Sequence, residues 1–185
     1  MDRYAFLKDL KKHGQENDIP NISEESACFL RSLLEEIQVK NMLEIGTANG
    51  YSTIQFADIL EKIWGHITTI EFSENSYKKA QENFEMTEIS HCITQHLGNA
   101  LDIIPKLEEM YDFVFIDGMK RRSLDFLKLV WKKVPIWGTI VIDDVIKFRH
   151  KMVGLYEYIE SEQIDHSVIQ IDEDDGIMII KKREA

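Results

Sequence analysis

The chain has 185 residues, of which 44% are hydrophobic and 30% charged, and a formal net charge of -11. This is an ordinary globular composition, which excludes a disordered or membrane-embedded chain. A chain of this length can bury a core without disulfides or structural metal, so we expect one domain over residues 1–185. No apolar run approaches the roughly 20 residues of a membrane span, and no signal-peptide core opens the chain, so we expect a cytoplasmic protein with no membrane partner.

The predicted elements alternate between helices and strands along the chain. A helix is expected over residues 2–13, ended by Gly14, and a second one over residues 24–37 after the capping residue Ser23. A strand at 42–46, a helix at 51–63 and a strand at 66–71 then form a βαβ unit. The remaining elements are a helix after Ser73, a strand at 92–97, a short helix at 100–109, a strand at 111–117, a helix at 120–133, a strand at 138–143, a helix at 153–162 and two terminal strands joined at 172–176.

This alternation predicts an α/β fold with a Rossmann-like, doubly wound and mostly parallel seven-stranded sheet that is covered by helices on both faces. The tight acidic turn between the last two strands predicts a C-terminal antiparallel hairpin at one edge. In doubly wound sheets, ligands bind beyond the carboxyl ends of the strands. Functional residues are therefore expected at those ends.

Three strand ends carry residues that suit a nucleoside ligand. The first strand runs into Gly46-Thr-Ala-Asn-Gly50, whose glycines serve either a tight turn alone or the close approach of a ligand. The GxxxG spacing and the lack of a following GK[ST] disfavour a dinucleotide or a nucleoside triphosphate. Glu71 ends the second strand, where a carboxylate can accept hydrogen bonds from both hydroxyls of a ribose. Asn99 follows the third strand and suits an adenine edge, a helix cap, or both.

Three aspartates follow the fourth and fifth strands, namely Asp117, Asp143 and Asp144. Carboxylates at adjacent strand ends repel one another unless they are paired, and a hard divalent cation such as Mg²⁺ is the usual remedy. One or two of them capping a helix is the simpler alternative. Lys120 can reach back over the same metal and lose its proton more readily there, which makes it a candidate general base if the metal site exists.

With these motifs, the sequence resembles the class I S-adenosylmethionine-dependent O-methyltransferases of the cation-dependent catechol and caffeoyl-CoA type. It is nearest to the short bacterial members that include tRNA 5-hydroxyuridine methyltransferases. The segments that carry the resemblance are 19–24, 43–52, 69–71, 98–100 with 103–105, 115–117 with Lys120, 142–144 and 175–176. The resemblance implies that S-adenosyl-L-methionine is surrounded by Ile22, Glu44, Gly46, Ser52, Glu71, Asn99, Ala100 and Asp117.

The resemblance also implies a catalytic apparatus and an arrangement of the domain. Asp117, Asp143 and Asp144 would hold Mg²⁺ or another divalent cation, and Lys120, with Asp117 beside it, would take the proton of the acceptor. The N-terminal helices, within residues 1–38, would cover the cofactor and substrate side. Relatives are often homodimers, which suggests a homodimer here by analogy alone.

The chain departs from the family at the acceptor side. The family usually has Asn where this chain has Asp144, which adds a negative charge to the metal ligands. The segment 145–151 is shorter than the substrate-covering loop of relatives, which predicts an open site. Basic residues at 120–122, 147 and 149–151 would flank that opening, either as a solvated face or as a site for an anionic substrate.

Three functions follow from this reading. The first is a metal-dependent O-methyltransferase that acts on a hydroxyl of a small aromatic, catechol-like acceptor. The second is a tRNA 5-hydroxyuridine methyltransferase, favoured by the basic rim and disfavoured by the overall acidity. The third is a cofactor-binding protein without catalysis.

Overall fold

The computed structural model describes residues 1–184 of the chain. The strands are β1 (Asn41–Ile45), β2 (His66–Glu71), β3 (Ile93–Leu97), β4 (Phe113–Ile116), β5 (Thr139–Ile142), β6 (His166–Gln170) and β7 (Gly176–Lys181). They form one sheet in the order β3-β2-β1-β4-β5-β7-β6. The first five strands are parallel, and β7 runs antiparallel to both β5 and β6. The predicted Rossmann-like sheet with a C-terminal hairpin is confirmed.

Over residues 1–184, seven α-helices cover the sheet. They are α1 (Arg3–Glu16), α2 (Glu24–Ile37), α3 (Tyr51–Glu61), α4 (Glu74–Met86), α5 (Ala100–Ile103), α6 (Ser123–Val130) and α7 (Val153–Ser161). One core layer joins α1 to α4 with one face of the sheet, and the other joins α5, α6 and α7 with the opposite face. Neighbouring residues of a strand point to opposite faces, so Met42 lies in the first layer and Leu43 in the second. The central strands β4 and β5 are buried along their whole length, as a parallel sheet covered on both faces requires.

The predicted C-terminal ends of α1 and α5 were wrong for reasons that the structure makes clear. α1 continues through Gly14 to Glu16. Gly14 is buried, and a Cβ atom there would collide with the side chain of Asn21, so close packing explains this glycine better than a helix stop does. The helix predicted over residues 100–109 ends at Ile103 and continues only as a 3₁₀ turn, with Pro105 among its first residues.

The helix predicted over residues 120–133 is shorter than expected and is flanked by two 3₁₀ turns, Lys120–Arg122 and Trp131–Lys133. The first turn lifts Lys120 out of the helix and places it beside the end of β4. None of the helices over residues 1–184 combines the length and apolar character that crossing a bilayer requires.

Candidate functional site

Three adjoining cavities lie at the carboxyl ends of the parallel strands. The Glu71 cavity, of about 370 Å³, is lined by Ile45, Gly46, Ile70, Glu71, Phe72, Gly98, Asn99, Ala100, Leu101, Gly118, Met119, Arg122 and Phe126. The glycine-loop cavity, of about 330 Å³, is lined by Pro20, Asn21, Ile22, Gly46, Thr47, Ala48, Ser52, Asp117, Gly118, Lys120, Asp144 and Phe148.

The aspartate cavity is the largest of the three, at about 560 Å³. It is lined by Lys11, Pro20, Asn21, Ile22, Ser23, Ser26, Asp117, Asp143, Asp144, Lys147, Phe148 and the acidic residues 172–175. The glycine-loop cavity shares Gly46 and Gly118 with the Glu71 cavity, and it shares Asp117 and Asp144 with the aspartate cavity. The three cavities are therefore neighbours along the ends of the strands.

The turn after β1 needs glycine because two strand ends meet there. Gly46 has a φ angle of 103°, and a Cβ atom on it would lie 2.6 Å from the carbonyl oxygen of Asp117. Glu71 fixes the same turn from the end of β2. Its carboxylate accepts hydrogen bonds from the backbone N–H groups of Thr47 at 3.1 Å and Ala48 at 2.8 Å. The glycine turn is thus held in place before any ligand is bound.

Glu44 lies beneath this turn, fully buried, and its carboxylate accepts hydrogen bonds from three hydroxyl groups. The donors are Ser52 at 2.7 Å, Thr53 at 2.5 Å and Thr69 at 2.7 Å. Burial raises the pKa of Glu44 from its ordinary value of 4.5 to about 7, although the three hydroxyls oppose this shift. Glu44 lines none of the three cavities and reaches the glycine-loop cavity through Ser52, which does line it.

Asp117, Asp143 and Asp144 come together as the sequence predicted. Each offers a carboxylate oxygen within 4.8 Å of the oxygens of the other two. Asp144 has a left-handed backbone with a φ angle of 60°, a conformation that Asp and Asn adopt more readily than other side chains. Three hard oxygen donors at one point are a fitting ligand set for Mg²⁺ or a similar divalent cation.

Lys120 forms ion pairs with two of these carboxylates. Its Nζ lies 2.6 Å from Asp117 Oδ1 and 2.6 Å from Asp144 Oδ2, and its side chain is 15% exposed. Burial alone would lower the pKa of Lys120, but the charges of the aspartates raise it above its ordinary value. Burial in turn raises the pKa of Asp117 and of Asp143. Lys120 therefore supplies a positive charge to these carboxylates, and it is a buried partner rather than part of an exposed basic rim.

The remaining predicted cofactor residues divide between two cavities. Glu71, Asn99 and Ala100 line the Glu71 cavity, while Ile22, Ser52 and Asp117 line the glycine-loop cavity and Gly46 lines both. The Oδ1 atom of Asn99 caps α5 by accepting the N–H of Leu101 at 3.0 Å, so Asn99 serves as a cap while it also faces the cavity.

Several residues at the site were missed in the sequence. Lys11 lines the aspartate cavity, where its ammonium donates to the backbone oxygens of Asn21 and Ile22. Phe72 lines the Glu71 cavity, as does Arg122, which the sequence had placed in the basic group at the opening of the site. No sequence motif marks Lys11. The contact of the Thr69 hydroxyl with Glu44 could have been predicted, since the parallel register of β1 and β2 places these two residues side by side.

The basic residues after β5 contribute little to the walls of the cavities. Lys147 lines the aspartate cavity. Arg149 instead packs on the ring of Tyr156, 3.9 Å from its centre, and Lys151 lies 4.2 Å from the centre of the Phe148 ring. The acidic residues 172–175 of the turn between β6 and β7 line the same cavity, which the sequence did not lead us to expect.

Comparisons with known proteins agree on one family. A family model described as O-methyltransferase matches residues 1–182. The chain is 32% identical over 131 residues to a catechol O-methyltransferase of Niastella koreensis, a match that covers 69% of this chain and 59% of that protein. It is 30% identical over 127 residues to a catechol O-methyltransferase of Mycobacterium tuberculosis, covering 68% of this chain and 57% of that protein. The chain thus spans just under three fifths of these curated relatives.

A solved structure shows the same similarity over a larger share of both chains. The O-methyltransferase from Bacillus cereus in complex with SAH has a TM-score of 0.86 and 25% sequence identity to this chain. The match covers 96% of this chain and 91% of that one.

Proposed function

The chain belongs to the O-methyltransferase family, and from this premise we propose that it transfers the methyl group of S-adenosyl-L-methionine to a hydroxyl oxygen of a small aromatic, catechol-like acceptor. We further propose that the reaction requires a divalent cation such as Mg²⁺. The observation that carries the proposal is the junction at Asp117. This residue belongs to the carboxylate cluster and lines both the glycine-loop cavity and the aspartate cavity.

The cofactor would extend over the Glu71 cavity and the neighbouring glycine-loop cavity, which share Gly46 and Gly118. Glu71 offers its carboxylate to ribose hydroxyls, and Asn99 and Ala100 form the wall beyond it. Ser52 offers a hydroxyl in the glycine-loop cavity, at the start of α3, where the positive end of the helix suits the carboxylate of a methionine. Gly46 and Ile22 would contact the cofactor by packing, and Glu44 would act through Ser52.

Asp117, Asp143 and Asp144 would hold the cation. When bound, the cation supplies a positive charge that lowers the pKa of an acceptor hydroxyl. A cation held by the same carboxylates would weaken their attraction for the Lys120 ammonium, whose Nζ lies 2.6 Å from Asp117 Oδ1 and from Asp144 Oδ2. Lys120 would then release its own proton to solvent, and its neutral amine would take the proton of that hydroxyl.

The protein's own contribution is mainly one of position. Ile22, which is 5% exposed, and Phe148 line both the glycine-loop cavity and the aspartate cavity. These side chains would exclude water where the methyl donor and the acceptor meet. Holding the two reactants in line is a large part of what catalysis of such a displacement requires.

The charge on the wall of the aspartate cavity, where the acceptor would bind, favours a small acceptor over tRNA. Lys147 and Lys11 are outnumbered on its wall by the acidic turn, and Lys11 is already engaged by two backbone oxygens. A polyanion would meet a negative field there. We therefore keep tRNA methylation as the second candidate, to be settled by the assay below.

We also propose that the chain works as one domain in which residues 1–38 cover the site. In support, Leu7 and Leu10 of α1 are buried in the core, and Pro20, Asn21 and Ile22 of the following segment line both the glycine-loop cavity and the aspartate cavity. A homodimer stays a prediction that sedimentation analysis would test.

The decisive experiment offers labelled S-adenosylmethionine and Mg²⁺ to the protein with either a panel of catechols or tRNA from a deletion strain. We expect label in a catechol and its loss on addition of EDTA. Label in tRNA alone would move the assignment to the second candidate. Turnover that persists in EDTA would refute the metal-dependent chemistry, and cofactor binding without methylation of any acceptor would favour the non-catalytic alternative.

A further inference from the structure

Glu44 lies behind the wall of the glycine-loop cavity, and Ser52 connects the two. The Ser52 hydroxyl donates to Glu44 Oε1 at 2.7 Å, and the side chain of Ser52 also lines the cavity. Resting on the proposed function, we propose that Glu44 takes up a proton when S-adenosyl-L-methionine binds, which turns the Ser52 hydroxyl from Glu44 to the carboxylate of the methionine. Glu44 is then a positioning residue for the cofactor, because its protonation decides whether Ser52 donates into the cavity.

The inference begins with the number of hydrogens that Ser52 can offer. A serine hydroxyl has a single hydrogen, so Ser52 can donate it either to Glu44 or to a ligand. An ionised carboxylate can only accept hydrogen bonds, so ionised Glu44 holds that hydrogen and Ser52 offers the cavity only the lone pairs of its oxygen. The carboxylate of a methionine is also an acceptor only. Two carboxylates would therefore compete for one hydrogen.

Protonation of Glu44 resolves this competition. A proton from solvent on Glu44 Oε1 becomes a donor to the Ser52 oxygen along the same 2.7 Å contact. The Ser52 hydrogen is then free to point into the glycine-loop cavity. One O–H bond forms at Glu44, and no covalent bond of the protein breaks. The negative charge of Glu44 is neutralised as the negative carboxylate of the cofactor arrives.

The other two donors to Glu44 do not connect it directly to the cavity. The Thr53 and Thr69 hydroxyls both donate to Glu44 Oε2, at 2.5 Å and 2.7 Å, and neither residue lines any of the three cavities. Thr69 reaches the glycine-loop cavity only through the Thr47 hydroxyl, 2.6 Å away, so that route would need two hydroxyls to turn. Ser52 is the direct connection.

The surroundings of Glu44 favour the uptake of a proton. Its side chain is fully buried, and α3 and β2 face it with hydroxyl groups, while Asp117 at the end of β4 adds a negative charge. Burial, assisted by Asp117, raises the pKa of Glu44 to about 7 against the opposing effect of the hydroxyls. A methionine carboxylate on the other side of Ser52 would raise this pKa further. Near neutral pH, Glu44 can therefore gain a proton as the cofactor binds.

Calorimetry of S-adenosylhomocysteine binding, with saturating Mg²⁺, tests the proposal. At about pH 7.5, the binding enthalpy measured in buffers of different ionisation enthalpy should report the uptake of up to about one proton. We expect Kd to rise about tenfold from about pH 6.5 to about pH 8.5, because a hydrogen bond to a charged group contributes this much to affinity. Methylthioadenosine lacks the methionine carboxylate and should bind with no proton uptake.

Three variants show whether the proton goes to Glu44 and acts through Ser52. Glu44→Gln carries an amide that can donate to Ser52 at every pH, so both the uptake and the rise in Kd should disappear. Ser52→Ala keeps Glu44 but removes the connection, and it should abolish the uptake even if Glu44→Gln fails to fold. Thr53→Val is the matched control, because it removes a donor to the same carboxylate without touching the cavity. It should keep the uptake and move it to higher pH.

The unaltered protein and the variants can each overturn the proposal. No uptake or a release of a proton in the unaltered protein would do so, as would an uptake that survives Glu44→Gln or Ser52→Ala. Turnover assays separate this proposal from the proposed function. Methylation of an acceptor together with binding that takes up no proton would overturn the role of Glu44 alone. Proton-coupled binding without methylation of any acceptor would overturn the proposed function alone.

Discussion

At the scale of single residues, Asp143 is the sharpest test of the metal site. It is the most deeply buried of the three clustered aspartates, at 7% exposure. Burial and the negative charges of Asp117 and Asp144 raise the pKa of its carboxyl group. We expect Asp143→Asn to weaken binding of Mg²⁺ or Mn²⁺ at least about tenfold, since loss of even an outer-shell partner has this effect at metal sites. Calorimetric titration with the metal alone measures it.

The matched control for this change is Asp102→Asn on the exposed side of α5, a residue that lines none of the three cavities. It removes the same charge and should leave metal binding unchanged. Equal metal affinity in the two variants would contradict the assignment of Asp143 as a ligand.

Glu44 makes a prediction about stability and pH. Its pKa is raised from 4.5 to about 7 in the folded chain, so between these values the native state holds more proton than the unfolded state. The free energy of unfolding contributed by this group therefore falls as pH rises through that window. Glu44→Gln has no carboxyl group to ionise in the buried site. Its free energy of unfolding relative to that of the unaltered protein should therefore rise as pH increases through the window, by at most about 3 kcal/mol.

Urea denaturation at several pH values across the window measures the difference. Glu85→Gln changes an exposed glutamate of α4 and is the control, with no expected pH-dependent difference in stability. A constant difference between Glu44→Gln and the unaltered protein would show that Glu44 stays ionised throughout.

Sequence reasoning found the positions of the site residues but not what they touch. Asp117, Asp143 and Asp144 could be placed together because parallel strands end at one edge of a sheet. Lys120 was expected to reach over the same aspartates, and it does. The sequence could not show that its ammonium pairs with both Asp117 and Asp144, since this depends on the 3₁₀ turn that replaces the start of the predicted helix. Glu44 was expected at the cofactor by resemblance, and the structure places it one layer below, behind Ser52.

At the scale of elements, the ends of β1 and β4 approach each other closely at Gly46, and this leads to a prediction. A Cβ atom at Gly46 would collide with the carbonyl oxygen of Asp117, and the φ angle of 103° is one that other residues rarely adopt. We expect Gly46→Ala to lower the free energy of unfolding by about 1–3 kcal/mol and to weaken cofactor binding, because the turn must move. Thermal denaturation and calorimetry with S-adenosylhomocysteine measure the two effects.

Gly154 provides the contrasting case. It lies in α7, where a Cβ atom would meet only Leu124 at an ordinary distance of 3.6 Å. Gly154→Ala should stabilise the protein by about 0.5–1 kcal/mol, since alanine favours helix. If both changes had the same sign, the strained turn would not be the reason for the glycine at position 46.

The order and type of the elements were largely predictable, and their ends were not. Periodic apolar patterns fix where a helix or strand must bury a face, as in the fully buried strands β4 and β5. Ends depend on contacts with distant segments. Gly14 reads as a helix stop in isolation, and only the packing of Asn21 against it explains why α1 passes through.

At the scale of the whole molecule, the distribution of charge was the least predictable property. The basic residues at 120–122, 147 and 149–151 were expected to flank the opening of the site in an otherwise acidic protein. In the structure they divide, because Lys120 is buried with aspartates and Arg122 pairs with Asp125 at 3.1 Å. The acidic residues 172–175 come from the C-terminal part of the chain and reach the aspartate cavity because β7 lies beside β5 in the sheet. The sign of the charge on the wall of that cavity therefore depends on the topology of the sheet.

The same long-range assembly predicts how the N-terminal segment responds to a ligand. Residues 19–23 join α1 to α2, and their side chains line the two cavities that meet at Asp117. The ammonium of Lys11 donates to backbone oxygens of this segment, which anchors the segment to α1. S-adenosylhomocysteine bound across the glycine-loop cavity should reduce its local opening and slow amide hydrogen exchange there and at residues 46–50. Exchange in β6, an edge strand that lines none of the three cavities, should not change.

Mass spectrometry of the exchanged peptides reports all three regions in one experiment. Protection at 46–50 without protection at 19–23 would mean that the N-terminal helices do not cover the cofactor.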